Sequence, residues 1–429
     1  MAATIVQSGS YDLLIDTGFL VDAFTLDDTT KGVLNNTEYV LNGTTQYASV
    51  IDGSTTIRVN RGRQDTGDQF TAGSMTFNLL DGYAGGVFNP FNQDSPFFDS
   101  SNDQPGLAPM RNVILTREGE ELFNGYIVDY MYDFNLGGLD TVNVTCADRF
   151  YVLSQTYMAE YNVSEELANV RVEAVLDLPE VNAFQLPGER NIEISAITLG
   201  GAAAYTVPNG TSVAAYMAKI NESVQGRIFV SRDGRFTFQD RIGTTLSASV
   251  ADFHDNGTAI PYDQVGISFE ANQVVNRASV THAGGAPEVA EDLASQATYF
   301  IQTQSISDAL VHNDAAALAL AEYLLVAEPE PRYTSVSTPF STLTDAQRDT
   351  VAVIEIGDTI TIEKSFNTGT TTTSLAQELS IEGIQHQIDL STGHRITLFT
   401  SPTTIVFEFV LDDAIYGILG ITDPQPVLG

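Results

Sequence analysis

Basic residues are scarce in this chain. Its 429 residues include 55 Asp and Glu but only 19 Lys and Arg, for a formal net charge of −36. Lysine occurs only at Lys31, Lys219 and Lys364. Phosphate backbones are held by clustered Lys and Arg, so specific nucleic-acid binding is not expected. Two readings of the deficit stay open: a surface past which DNA slides without adhering, or a saline habitat with acidic proteins. The single cysteine, Cys146, excludes an intrachain disulfide and a multi-Cys metal site. It sits in the alternating run Thr141–Ala147, which reads as a strand. No stretch approaches 18 uninterrupted apolar residues, so no stable membrane insertion is expected. The opening MAATIVQSGSYDLL lacks the basic and long apolar regions of a signal peptide. Catalytic signatures are missing as well: there is no G-x-S-x-G, Walker loop or dinucleotide fingerprint. The five histidines contain no HExxH. His386 and His394 flank a turn, but zinc needs three or four ligands. Asp252-Phe-His-Asp-Asn-Gly starts like a calcium loop, yet His254 stands at the third ligand position and no Glu stands at the twelfth, so it reads as a surface turn. Acid pairs such as Asp27-Asp28, Glu165-Glu166 and Asp412-Asp413 are what 55 acids give by chance. No catalytic residue, cofactor or metal is expected, and the chain reads as no enzyme.

What the chain has is apolar bulk and turns. At 43% apolar residues it can bury sizeable cores, and its length suits two to four domains. The expected fold is mainly β with an α+β insertion: two barrel-like β domains plus a smaller middle domain. Residues 1–49 form an N-terminal β segment, part of the first domain or a subunit contact. Residues 50–155 form the first barrel, with a hairpin around Glu118-Gly119-Glu120 and a strand over Leu139–Ala147. Residues 156–265 are the α+β part. There Ser164 caps one helix, Ser212–Ser223 is a second, and Asp233-Gly234 turns a hairpin. Residues 266–400 form the second barrel, interrupted by an Ala- and Leu-rich helix near 308–327. Residues 401–429 are a C-terminal tail.

The string TTIRVNRGRQDTGDQFTAGSMTFNLLDGYAGGVFNPF, Thr56–Phe91, carries a strand with Arg58, Arg61 and Arg63, an acidic turn, and a second strand. Three of the 19 bases fall within six residues. Two readings weigh evenly: a solvated strand face paired with Asp65, Asp68 or a nearby Glu, and an intersubunit ion-pair surface, since Arg grips carboxylates in bidentate fashion. DNA contact comes third.

The string also resembles the tail-tip central hub, or minor tail, proteins of long-tailed phages. The elements that carry the resemblance are Arg61-Gly62-Arg63, Ala72-Gly73, Phe77, Leu79, Asp81 and Phe88-Asn89-Pro90. Others follow in order: Gly125-Tyr126-Ile127, Ala147-Asp148, Asp233-Gly234 with Phe236, Phe238 and Arg241, Asn276-Arg277, Pro331-Arg332, Gly357-Asp358, Glu382-Gly383-Ile384-Gln385-His386, and Phe409-Val410-Leu411-Asp412. Each motif is weak; their shared order over roughly 50–415 gives them weight. The resemblance implies a virion protein of the tail tip, a homotrimer whose two barrels per chain match threefold to sixfold symmetry. It further implies contact with the distal tail ring or tube protein, the tape-measure protein and receptor-binding or other minor tail proteins. DNA would pass through the lumen unbound. Many such hubs carry fibre, peptidase or hydrolase extensions; this chain ends at Gly429, so host-wall digestion is not expected. The alternatives are a hexameric distal tail adaptor and, from another class, a surface glycan hydrolase or adhesin.

Overall fold

Alternation of buried and exposed side chains builds most of this molecule. In strand Ser54–Gly62, Ile57, Val59 and Arg61 point inward while Arg58 and Asn60 are exposed. In strand Ser74–Asp81, Met75, Phe77, Leu79 and Asp81 are buried between exposed neighbours. The computed structural model describes residues 3–5, 8–21, 32–33, 46–64, 68–82, 86–201, 203–241, 248–367, 372–389 and 391–402. The Phe409–Asp412 motif and nearly all of the 401–429 tail lie outside them.

The fold is mainly β with α+β insertions. Among the described residues, fourteen strands share one sheet. Along its main path the order is Ala3–Ile5, Gly9–Asp16, Asn112–Arg117, Glu120–Asp133, Asp140–Ala147, Ser74–Asp81, Ser54–Gly62, Thr372–Asp389, Gly393–Pro402, Arg332–Pro339 and Gln264–Ser268. The strands of the 50–155 and 266–400 segments therefore meet edge to edge. Ser54–Gly62 pairs antiparallel with the second half of Thr372–Asp389, from Gly62–Gly383 to Thr56–Asp389. The first half of that 18-residue strand pairs instead with Thr359–Asn367. Along its other edge it follows Gly393–Pro402, with a register shift between Ile381 and Gly383. One hydrophobic core spans the join: Val59, Phe77 and Val144 belong to the same buried cluster as Ile381, Ile384 and Leu398.

Two smaller units hang from this sheet. In the first, helices Ala168–Leu176 and Val213–Val224 pack with the hairpin Arg227–Val230 and Phe236–Gln239 around their own core, which includes Phe184, Met217 and Phe236. The hairpin turns at Gly234, whose φ of +80° suits glycine and whose amide donates to Ser231 O at 2.9 Å. The first helix begins at Ala168, later than its Ser164 expectation, because Glu166–Leu167 pair with Thr198–Leu199. The second unit is a three-stranded sheet of Pro287–Glu291, Arg277–His282 and Thr303–Ala309, covered by helix Asp314–Tyr323 over a third core. This helix is shorter than the 308–327 expectation. Residues 303–309 are drawn into parallel pairing with Arg277–His282, and the Asn313 side chain caps the helix by accepting from the Ala316 amide.

Candidate functional site: the charged junction

The long strand changes partners at Glu382, and the side chain there links three parts of the chain. Glu382 is buried. Its Oε2 accepts from Arg63 Nε at 2.8 Å, and its backbone oxygen from the Arg63 amide at 2.9 Å. Its Oε1 accepts from Arg227 Nη2 at 2.7 Å and Ser401 Oγ at 2.8 Å. Burial pushes this carboxyl up, but the Arg227 and Arg63 guanidinium groups outweigh it and hold it below the usual glutamate range. Gly383 follows because nothing larger fits: a Cβ there would lie 2.3 Å from Arg63 O.

A second knot sits beside it. Arg61 is buried, and its Nη1 donates to Glu355 Oε1 at 2.5 Å. Glu355 Oε2 accepts the Arg232 amide at 2.8 Å. Arg232 in turn donates to Glu121 O at 2.8 Å. The acids that meet Arg61 and Arg63 are thus in this same chain, far along the sequence. Of the two readings of the basic strand, partners within the chain and an intersubunit surface, Arg61 and Arg63 show the first; the period of two puts Arg58 and Arg61 on opposite faces, and of the three arginines only Arg58 is exposed, across from Gln387 and Thr76.

A buried polar chain runs behind the same strand pair. His386 Nδ1 and His394 Nε2 are 3.0 Å apart, and His394 Nδ1 is 2.8 Å from the Tyr11 hydroxyl. Tyr11 lies 3.2 Å from Ser8 O as donor, which fits two neutral imidazoles passing one hydrogen bond along. Burial pushes His386 down to about 3, and His394 falls with it for the same reason. Among the described residues, no group of three or more His, Cys, Asp or Glu is placed to hold a metal ion. No helix among them is long and apolar enough to cross a membrane.

The remaining motif residues have structural work. The Gly73 amide donates to Asp148 Oδ2 at 2.7 Å and Gly73 O accepts from the Asp148 amide at 2.9 Å, so the Ala72-Gly73 and Ala147-Asp148 motifs clasp each other. Ala72 packs on the middle core. Burial raises the Asp148 carboxyl to about 7, against the Gly73 and Phe150 amides and Arg61. Asp81 accepts from the Val87 and Phe88 amides at 3.0 and 2.8 Å, which shapes the loop of Phe88, Asn89 and Pro90. Phe88 stacks on Phe97 at 5.6 Å, and the Asn89 side chain accepts from the Phe91 amide. Asn276 is fully buried; it donates to Ser295 and Phe300 O and accepts from the Gln302 amide. Arg277 beside it meets Glu291. Of the calcium-like stretch, Asp252, Phe253 and His254 belong to strand Ala251–His254 and not to the expected surface turn, because they pair with Thr361, Ile362 and Glu363 and bury Phe253; Asp255, in the bend that follows, bonds Lys364 and the Ser365 amide. Glu355, Arg227 and the role of Glu382 were outside the sequence expectations; for Glu382 the available signal was an acid set between Ile381 and Gly383-Ile384.

Comparison with solved structures places this geometry. A tail protein from Neisseria meningitidis MC58 superposes with a TM-score of 0.55 at 12% identity, over 85% of this chain and 95% of that one. The 43 kDa tail protein of prophage MuSo2 from Shewanella oneidensis superposes with a TM-score of 0.53 at 10% identity, over 83% and 96%. The chain shares the fold of these tail proteins. No family model and no curated protein sequence matches it.

Proposed function

We propose that the chain is a structural, non-catalytic subunit of a phage tail, placed at the tail tip as a trimeric hub. The observation that carries the reading is the fold shared with two tail proteins over more than four-fifths of the chain. The architecture supports the trimer. Each chain lays an N-terminal and a C-terminal array of strands side by side in one sheet, joined at Ser54–Gly62 and Thr372–Asp389. Three chains would present six arrays, which suits a threefold tip beneath a sixfold tube. In this role the hub continues or closes the tube, contacts the distal ring or tube protein, seats the tape-measure protein and anchors receptor-binding parts. A net charge of −36 suits a lumen through which DNA passes without adhering. The intersubunit surface narrows to the exposed Arg58 side of its strand.

Copy number tests the reading. Quantitative mass spectrometry of purified particles, scaled to the tube protein, is expected to give three copies per tail. Six copies would favour a hexameric distal adaptor, and absence from particles would return the glycan hydrolase or adhesin reading.

A further inference from the structure

The buried Asn276 holds one loop from both ends. Its Nδ2 donates to Phe300 O at 2.7 Å, and its Oδ1 accepts from the Gln302 amide at 2.8 Å. Its backbone oxygen accepts from the Asp292 amide at 2.9 Å, and its own amide donates to Gln302 O at 3.1 Å. Both ends of helix Leu293–Tyr299 are thereby tied to a single residue. In the loop so held, Phe300 takes φ +61° and ψ 176°, a backbone conformation that favours glycine and strains any side chain. The strain does not serve burial, because Phe300 is 81% exposed. Ile301 beside it is 58% exposed, and Leu293 at the start of the helix is 71% exposed.

Apolar side chains exposed singly need no explanation. These are grouped. Leu293, Ala294, Ala297 and Thr298 are all exposed at i, i+1, i+4 and i+5, one face of the helix, with Phe300 and Ile301 just past its end. Residues 293–307 contain no charged residue, in a chain with 55 acids.

The charge balance selects the occupant. A second copy of this chain brings the same net charge of −36, and most of the 19 bases already pair with acids of their own chain. Few bases are left to match acids across a contact between copies, and acid facing acid repels. Copies must therefore meet on surfaces without acids, where apolar burial favours association. A basic partner would be drawn to the acidic surfaces instead.

We infer that the exposed face of helix Leu293–Tyr299, with Phe300 and Ile301, is a contact between copies of this chain, and that the strained loop held by Asn276 presents Phe300 to the neighbour. The choice of a second copy as occupant rests on the trimer reading. Threefold closure is head-to-tail, so this face meets a different surface of the next copy.

The test is sedimentation equilibrium of the full chain over a dilution series. The unsubstituted chain is expected to associate to trimers. Phe300→Gly and Leu293→Asp are each expected to weaken that association about 10-fold, the scale of losing one anchoring side chain at an interface. Phe300→Gly carries its own control: glycine fits φ +61°, so the melting temperature of the dilute, dissociated chain is expected to rise. A fall would show that Phe300 serves the fold and would overturn the inference. A chain that stays monomeric, or either variant associating like the unsubstituted chain, would overturn it as well. If the variants still form trimers, the trimer reading survives and a different subunit covers this face. Six copies per tail, or none, sink the trimer reading whatever these variants do.

Discussion

At the scale of single residues, a few buried charges have partners far apart in sequence, and the fold is sensitive to the loss of either member. Removing one member of such a pair leaves the other charged and dry, which costs about 3–5 kcal/mol. Glu382→Gln leaves Arg63 and Arg227 facing each other without their carboxylate. A drop in unfolding free energy of roughly 3 kcal/mol is expected in urea titration; a change within error would show that the junction carries no weight. Acid sensitivity has a separate source in His386 and His394. Their folded-state values lie below the unfolded value of about 6.5, so their stabilising contribution is complete above that pH and is lost as pH falls through it. Asp148, raised to about 7, works the other way, favouring the fold at low pH and losing that contribution as pH rises toward 7. The comparison must therefore be made between variants. Between pH 6.5 and 5, His386→Leu is expected to flatten the fall in stability by about 1.4 kcal/mol per pH unit relative to the unsubstituted chain. Identical slopes would refute neutral buried imidazoles.

At the scale of elements, the two ends of the basic strand make opposite predictions. Arg61→Glu sets a carboxylate against Glu355 in a buried site, so the subunit itself is expected to unfold or aggregate. Arg58→Glu is expected to leave the melting temperature unchanged while impairing particle assembly; normal particles would remove the Arg58 face from the interface. Gly234→Val forces a β-branched residue to φ +80° with its Cβ 3.1 Å from Asn124, and an expected loss of about 1–3 kcal/mol is readable by thermal melting. Local signals of this kind were legible in the sequence: the Asp-Gly hairpin, the alternating strands, the 213–224 helix. Helix Asp345–Ala352 was legible too, through the capping box of Thr344 and Gln347, although it is absent from the sequence expectations. Pairings between Arg63 and Glu382, or Gly73 and Asp148, were not, because they depend on a register that joins strands over 300 and 70 residues apart. The period-two rule alone separates Arg58 from Arg61, but where the inward face leads is a tertiary fact.

At the scale of the whole molecule, the N-terminal and C-terminal strand arrays form one sheet over one core, with the smaller α+β units attached. A body built this way suits repeated placement around a tube axis, and in the proposed role its excess of acids would keep the bore from holding DNA. That claim is tested most directly on intact tailed particles labelled with gold-tagged antibody against this chain. Label confined to the tail end farthest from the head is the predicted result. Label along the tube, at the head, or absent from intact and permeabilised particles alike would contradict the account.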